Sequence, residues 1–205
     1  IVEPRERENI LVTGICGKLG WLLARALHKD YIVHGLDRRP SMGLPKDVIH
    51  HQIDVRRKKV EDIFRTYEIK ALVHLGTMHN PRADENELYT FNVVGFSSIL
   101  EYCKKYHVPK VIILSSSNVY GPNPDNSMFL TEESPLRADE TDPTLRSLVA
   151  VDRIAQNFFW QNPDQETVLL RPVHIVGPSV HNAPSNLMRR EWFMSVMGFD
   201  PLIQL

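Results

Sequence analysis

The chain has 205 residues, 42% of them hydrophobic and 24% charged, an ordinary globular composition with length for one good-sized domain or one domain plus part of another. A net charge of −1 gives no general pull toward nucleic acid or a membrane, no apolar run approaches the roughly 18 residues of a membrane span, and no signal-peptide pattern opens the chain. The two cysteines, Cys16 and Cys103, make neither a disulfide framework nor a metal motif, so a reducing cytoplasm is the expected setting.

The first informative stretch runs from Asn9 to Asp37. The apolar run Ile10-Leu11-Val12 leads into Thr13-Gly14-Ile15-Cys16-Gly17-Lys18-Leu19-Gly20, an amphipathic segment continues to about His28, and a second apolar run from Tyr31 to Leu36 ends on Asp37. Strand, glycine turn, helix, strand and acid in that order spell a dinucleotide-binding βαβ unit. Gly14 lets the chain turn sharply, Gly17 lets the backbone approach a pyrophosphate, and Gly20 lets the helix pack on the sheet, while the helix's free N–H groups face the anion. Asp37 is placed to accept hydrogen bonds from an adenosine ribose, and its charge disfavours the 2′-phosphate of NADP. Arg38 and Arg39 follow it, and an arginine there can hold that phosphate. NAD is expected over NADP.

Pro40 to Asp47 reads as a loop, His50 to Val55 as a short third strand with Asp54 reaching the adenine side of the cofactor, and Val60 to Tyr67 as a helix. The basic run Arg56-Arg57-Lys58-Lys59 lacks interleaved aromatics and reads as a solvated face. Ala71 to Leu75 is a buried strand followed by Gly76-Thr77, and a long helix is expected from about Glu87 to Tyr106. Lys110 to Leu114 is the fifth strand and runs into Ser115-Ser116-Ser117-Asn118-Val119-Tyr120-Gly121. Pro122 to Asp142 is a long proline-containing loop of the kind that covers sites. A helix from Thr144 to Trp160, a sixth strand from Thr167 to Leu170 and a last helix from Asn186 to Met197 complete the order. Alternation of strands and helices predicts a doubly wound parallel α/β sheet of Rossmann type, with ligand beyond the strands' C-terminal ends. The expected division is a cofactor domain over 1–178 and the start of a small C-terminal substrate lobe over 179–205. The absence of an initiating methionine and the apolar last segment read as a fragment.

These motifs resemble the extended short-chain dehydrogenase/reductases of the NAD-dependent epimerase/dehydratase family, which act mostly on nucleotide sugars. The resemblance rests on Thr13–Gly20, Leu36-Asp37, Asp54-Val55, Val73–Thr77, Asn92-Val93-Val94-Gly95, Ser115–Gly121 and Leu170–Pro178. It implies that Gly14, Ile15, Gly17, Leu19 and Gly20 line the pyrophosphate, Asp37 and Arg38 the adenine ribose, and Asp54 and Val55 the adenine. Leu75, Gly76 and Thr77 would border the nicotinamide ribose with Asn92 nearby, and Ser116 is the residue that polarises a reacting hydroxyl or carbonyl. The family's acid–base pair, Tyr-x-x-x-Lys, would depend on a lysine cation to lower the tyrosine's pKa. Here Leu148 stands at the tyrosine and Asp152 at the lysine, and no tyrosine follows Tyr120. Asp152 can still accept hydrogen bonds from the nicotinamide ribose. His174 and Tyr120 are conceivable substitute bases, and the histidines show no metal-ligand spacing.

Two functions stay open. One is an NAD-binding member of this family, with hydride transfer on a small nucleotide-sugar substrate if it is active. The other is a non-catalytic dinucleotide-binding sensor or scaffold, and beyond both lies a fold that has lost the cofactor. The resemblance also implies a possible homodimer through helices 87–106 and 144–160, with Phe91, Phe96, Ile99, Leu148, Phe158 and Phe159 on their apolar faces.

Overall fold

A computed structural model of the chain describes residues 7–78, 83–177, 180 and 182–190. Its six strands are β1 (Asn9–Thr13), β2 (Ile32–Asp37), β3 (Ile49–Gln52), β4 (Ile69–His74), β5 (Lys110–Leu114) and β6 (Glu166–Leu170). All neighbouring pairs are parallel and the order is β3-β2-β1-β4-β5-β6. The chain therefore winds outward one way from β1, returns, and winds outward the other way from β4. In register, Thr13 stands beside Leu36 on one side and His74 on the other. The turns leaving β1, β2 and β4 thus emerge at one height, at the switch point where such sheets hold ligands.

Helices cover both faces because the strands are apolar on both. Leu11, Leu36, Leu72, Val111 and Ile113 point to one side, where they pack with Ile63 and Phe64 of α2 (Glu61–Thr66), Phe96, Ile99 and Cys103 of α4 (Gly95–Lys105), and Val151, Ala155 and Phe158 of α6 (Arg146–Gln161). Ile10, Val12, Val33 and Val73 point to the other, against Ile15 and Ala24, with Leu23 and Leu27 of α1 (Lys18–Leu27) packed alongside. Between α2 and α4 the chain forms α3 (Glu85–Tyr89), which passes through a π-helical stretch, Thr90–Val94, into α4. The expected unbroken helix over 87–106 therefore carries one widened turn, of the sort found at functional positions. Gly95 follows it, and a Cβ there would stand 2.6 Å from Val55 Cγ1. The glycine lets the helix press on the loop after β3.

Several boundaries differ from expectation. β3 ends at Gln52 because the Ile53 amide turns to the Asp37 and His51 carbonyls, so Asp54 and Val55 sit in the turn beyond it. Helix 60–67 begins as a 3-10 turn, Lys58–Val60. The 122–142 loop contains a short helix, α5 (Ala138–Thr141). The expected last helix over 186–197 is described only as α7 (Ala183–Met188). Residues 191–205, including the expected entry to a substrate lobe, lie outside the described residues, as does Pro178. The apolar residues assigned to a dimer face are mostly spent internally: Phe96, Ile99, Leu148 and Phe158 are buried in the domain's own core, which leaves Phe159 exposed beside Trp160. Among the described residues no helix is long and apolar enough to cross a membrane.

Candidate functional site

The glycine turn is set by backbone distances. Gly14 has φ of 71°, its amide donates to the Leu36 carbonyl at 2.8 Å, and its carbonyl accepts the Gly17 amide at 2.9 Å. A Cβ on Gly14 would meet the Gly76 backbone at 2.9 Å, and one on Gly20 would meet the Gly14 carbonyl oxygen at 2.5 Å. Thr13 draws the β1 and β4 ends together: its hydroxyl accepts the Leu75 and Gly76 amides, each at 3.2 Å. Both lone pairs are then used, so the hydroxyl proton goes to His74 Nδ1 at 2.8 Å. His74 is buried against Phe96, and burial holds its pKa down at about 4, so the ring is a neutral acceptor. Behind this turn Gly17 precedes α1 without a side-chain cap, so the amides of the helix's first residues keep no intrahelical partner.

These elements wall a cleft of about 340 Å³. Gly14, Gly17, Asp37, Arg38, Val55, Leu75, Gly76 and Thr77 line it as expected, joined by Thr13, Arg39, Ile53, His74 and Phe91. Ile15 does not: its side chain fills the core beneath Gly35. Leu19 and Gly20 border the turn from behind, in α1, with Leu19 partly buried and Gly20 fully so. A cradle bounded by glycine backbone, uncapped helix amides and a terminal carboxylate suits a dinucleotide's pyrophosphate and ribose. At Gly17 a Cβ would take up the space over the Gly14 carbonyl, 3.1 Å away.

At the end of β2 and beyond the end of β3 two acids are each paired with the arginine two residues on. Asp37 Oδ1 accepts the Arg39 amide (3.0 Å) and Nε (3.0 Å), while Oδ2 accepts Arg39 Nη2 (2.8 Å) and the Cys16 amide (3.1 Å). Burial works against the Asp37 charge, yet these bonds and the adjacent cation outweigh it and hold the carboxyl below its ordinary value. Asp54 is likewise forked by Arg56 at 2.9 and 2.7 Å, and does not line the cleft. Val55, not Asp54, lines the cleft. Arg38 and Arg56 each lie over the Phe91 ring, 5.3 and 5.7 Å from its centroid. Sequence reasoning named Arg39 only as an arginine able to hold a 2′-phosphate, and missed its pairing with Asp37 and the place of Phe91 in the cleft.

At the other end the expected residues separate. The Asn92 side chain grips the Met78 backbone in both directions, at 2.7 and 2.9 Å, and donates to Ser147 Oγ at 3.1 Å. It holds the Met78 backbone and does not line the cleft. Ser116 is half-buried, and its Oγ accepts the Asn118 amide at 3.2 Å, which leaves the hydroxyl proton to donate. Asp152 is fully buried, and each oxygen takes two donors: Oδ1 from Gln156 (2.8 Å) and Arg171 Nη2 (2.7 Å), Oδ2 from Ser115 Oγ (2.6 Å) and Arg171 Nε (2.9 Å). With its acceptor positions filled it is a structural anchor in this arrangement, away from the cleft wall. Burial opposes its charge, but the Arg171, Ser115 and Gln156 bonds hold its pKa below the ordinary value. Leu148 is buried with Val119, Tyr120, Ala138 and Val149. The Tyr120 hydroxyl accepts from Arg171 Nη1 at 2.9 Å, and Tyr120 and Arg171 line a separate cavity of about 570 Å³ with Ser117, Gln156, Phe159 and Trp160. His174 is exposed. Among the described residues no group of three or more His, Cys, Asp or Glu is placed to hold a metal ion.

Fold and cleft together define a doubly wound dinucleotide-binding domain. The family model described as "NAD dependent epimerase/dehydratase family" matches residues 10–193, and the chain belongs to that family. It is 27% identical over 211 residues to UDP-glucose 4-epimerase of Dictyostelium discoideum, covering 91% of this chain and 60% of that protein. Among solved structures it resembles UDP-glucose 4-epimerase from Bifidobacterium longum in complex with NAD+ and UDP, with 27% identity and TM-score 0.68 over 80% of this chain and 52% of that one. The Thermus thermophilus UDP-glucose 4-epimerase complex with NAD gives 25% identity and TM-score 0.68, over 80% and 54%. The chain spans little more than half the length of such curated relatives, 56% of an uncharacterized Mycobacterium tuberculosis protein and 60% of the Dictyostelium enzyme.

Proposed function

We propose that this chain binds NAD(H) in the cleft at the switch point and forms the cofactor domain of a protein that acts on a nucleotide-sugar substrate. The observation that carries the reading is the backbone cradle of Gly14, Gly17 and the uncapped α1 N-terminus, level with the carboxylate at the end of β2. Glycine backbone and helix amides receive the pyrophosphate, Asp37 the adenine ribose, and Val55 and Phe91 the adenine, with Leu75, Gly76 and Thr77 bordering the nicotinamide ribose. Asp37 supports NAD over NADP, and relatives solved with NAD support the same cofactor. When bound, the nicotinamide would accept a hydride from a carbinol carbon, whose hydroxyl proton must then pass to a base that Leu148 does not supply. The Ser116 hydroxyl, whose proton its Asn118 bond leaves unused, would donate a hydrogen bond to the substrate's reacting oxygen.

A second reading is favoured by Leu148 and Asp152. The family's tyrosine position is core and its lysine position an internal ion pair, so neither can move a proton to or from substrate. Cofactor binding without turnover, in a sensor or scaffold, follows from that pair of observations. Calorimetric titration of the full chain with NAD+, NADH and NADP+ tests what both readings share, and micromolar NAD(H) binding is expected. Ser116→Ala should abolish turnover on nucleotide sugars and leave NAD+ affinity within about twofold. Absence of binding removes both readings, while turnover unaffected by the substitution removes the role of Ser116.

A further inference from the structure

The segment leaving β2 reads Arg38-Arg39-Pro40-Ser41-Met42. Two arginines, a spacer, a serine and an apolar residue form the pattern that an arginine-directed serine kinase selects, since acids in its groove grip the arginines and an apolar pocket takes the residue after the acceptor. The fold presents this pattern to solvent. Ser41 is exposed and belongs to no helix or strand, and among the described residues nothing bonds its hydroxyl. Met42 is 84% exposed, and the Arg38 and Arg39 side chains are 43% and 55% exposed. The loop is nonetheless tethered on both sides of Ser41. Cys16 Sγ lies 3.6 Å from the Arg39 and Pro40 carbonyls, and Trp21 Nε1 donates to the Gly43 carbonyl at 2.8 Å. A group added to Ser41 therefore stays beside the cleft that Arg38 and Arg39 line.

We propose that Ser41 is a phosphorylation site through which a protein kinase closes the dinucleotide cleft. The proposal rests on the reading that the cleft binds NAD(H) and adds its regulation. The serine oxygen attacks the γ-phosphorus of ATP, the bond to the β-phosphate oxygen breaks, ADP leaves, and the hydroxyl proton goes to the kinase's own base. The product carries a charge of about −1.5 to −2 and three acceptor oxygens. The Cα atoms of Arg39 and Ser41 are at most about 7 Å apart, and two residues is the separation at which Asp37 and Asp54 already take their arginines. The phosphate thus competes with Asp37 for the Arg39 guanidinium. Withdrawing that side chain removes two of the four donors on Asp37. It also clears a cation whose Nη2 stands 3.8 Å from the Cβ position of Gly17, at the pyrophosphate cradle. A dinucleotide then meets a phosphate and a poorly compensated Asp37 beside the place its own charge must occupy. A dinucleotide already bound keeps Arg39 and Asp37 in the cleft, and so withholds the arginines from the kinase.

The test incubates the folded full chain with ATP and the catalytic subunit of cyclic-AMP-dependent protein kinase as the arginine-directed probe, with and without saturating NAD+. Peptide mass spectrometry locates the phosphate, calorimetry after removal of ATP reads NAD+ affinity, and thermal melts confirm folding. Ser41 should carry the phosphate, NAD+ should slow its incorporation at least about threefold, and the phosphorylated chain should bind NAD+ at least about fivefold more weakly. Ser41→Ala should take no phosphate in this loop and bind NAD+ within about twofold of wild type. A folded chain left unphosphorylated at Ser41 overturns the site. A phosphorylated chain whose NAD+ affinity changes less than that, or an incorporation rate that NAD+ leaves unchanged, overturns the closure. In each of these cases an unmodified chain that binds NAD+ keeps the NAD reading, whereas one that binds none removes that reading and the closure together.

Discussion

Asp152→Ala should be among the most damaging single substitutions in this domain, and its cost can be worked from the contacts it removes. Asp152 is wholly buried and Arg171's side chain is 10% exposed, so truncating the acid leaves a buried guanidinium uncompensated. Breaking such a pair from one side costs about 3–5 kcal/mol, a large part of the roughly 5–15 kcal/mol that holds a domain. The Ser115 hydroxyl, also buried, loses its acceptor at the same time. Arg171→Ala should cost as much. It strands the carboxylate and also releases the Tyr120 hydroxyl and the Glu132 carbonyl, by which Arg171 ties down the 122–142 loop.

The double variant should fall short of the summed cost by about 2–3 kcal/mol, because the second truncation removes the charge that the first had stranded. Urea unfolding followed by tryptophan fluorescence reads all three. NAD+ affinity, measured where each variant remains folded, should stay within about twofold for Asp152→Ala. A cost below about 1 kcal/mol with additive singles would refute the anchor. If NAD+ affinity then fell with the carboxylate, Asp152 would be the ribose ligand that its sequence position implies.

Gly17→Ala separates cradle from fold. Gly17 has φ of −75° and its added Cβ would stand 3.1 Å from the Gly14 oxygen, so unfolding should shift by less than about 1 kcal/mol while NAD+ affinity drops at least tenfold. An affinity within twofold of wild type would mean that the pyrophosphate does not approach there. Stability should also fall with acid. Burial holds His74 at about 4, and burial with neighbouring His51 holds His34 at about 4, against 6.5 when unfolded. Between those values the unfolded chain binds more protons, so stability is full above about pH 6.5 and declines toward pH 4, by roughly 3 kcal/mol for His74 alone. Asp37 and Asp152, held below 3.8, add to the loss only at still lower pH. Urea midpoints that stay flat from pH 8 to 4.5 would refute the buried neutral rings.

What was legible in the sequence is what depends on local chemistry. The strands showed as apolar runs, the turn off β1 as a glycine where φ must be positive, and the position of Asp37 as the last residue of β2. Each needs only neighbours a few residues away. The side-chain partnerships were not legible, because they join elements distant in sequence through packing. Asp152 meets Ser115 from 37 residues away and Arg171 from 19, and Asn92 reaches back 14 residues to Met78. A residue aligned with a functional position looks available for that function until its hydrogen bonds are counted. Asp152, Asp54 and Asn92 each turned out to be engaged elsewhere.

That difference also separates the cleft from the two helix positions where the family resemblance expects a tyrosine and a lysine. The cradle is built from backbone: Gly14 presses on Gly76, Gly20 on the Gly14 carbonyl, and Thr13 on the amides of Leu75 and Gly76. Changing any of these disturbs the sheet's switch point, so folding itself preserves the binding shape. The tyrosine and lysine positions carry no such constraint. Leu148 adds apolar contact with Val119 and Val149, and Asp152 completes a satisfied ion pair. Both residues fit the packing around them, so folding favours them where they stand. Leu148→Tyr would bring a hydroxyl into the closed apolar cluster of Val119, Ala138 and Val149. Accommodating it would require repacking those three side chains.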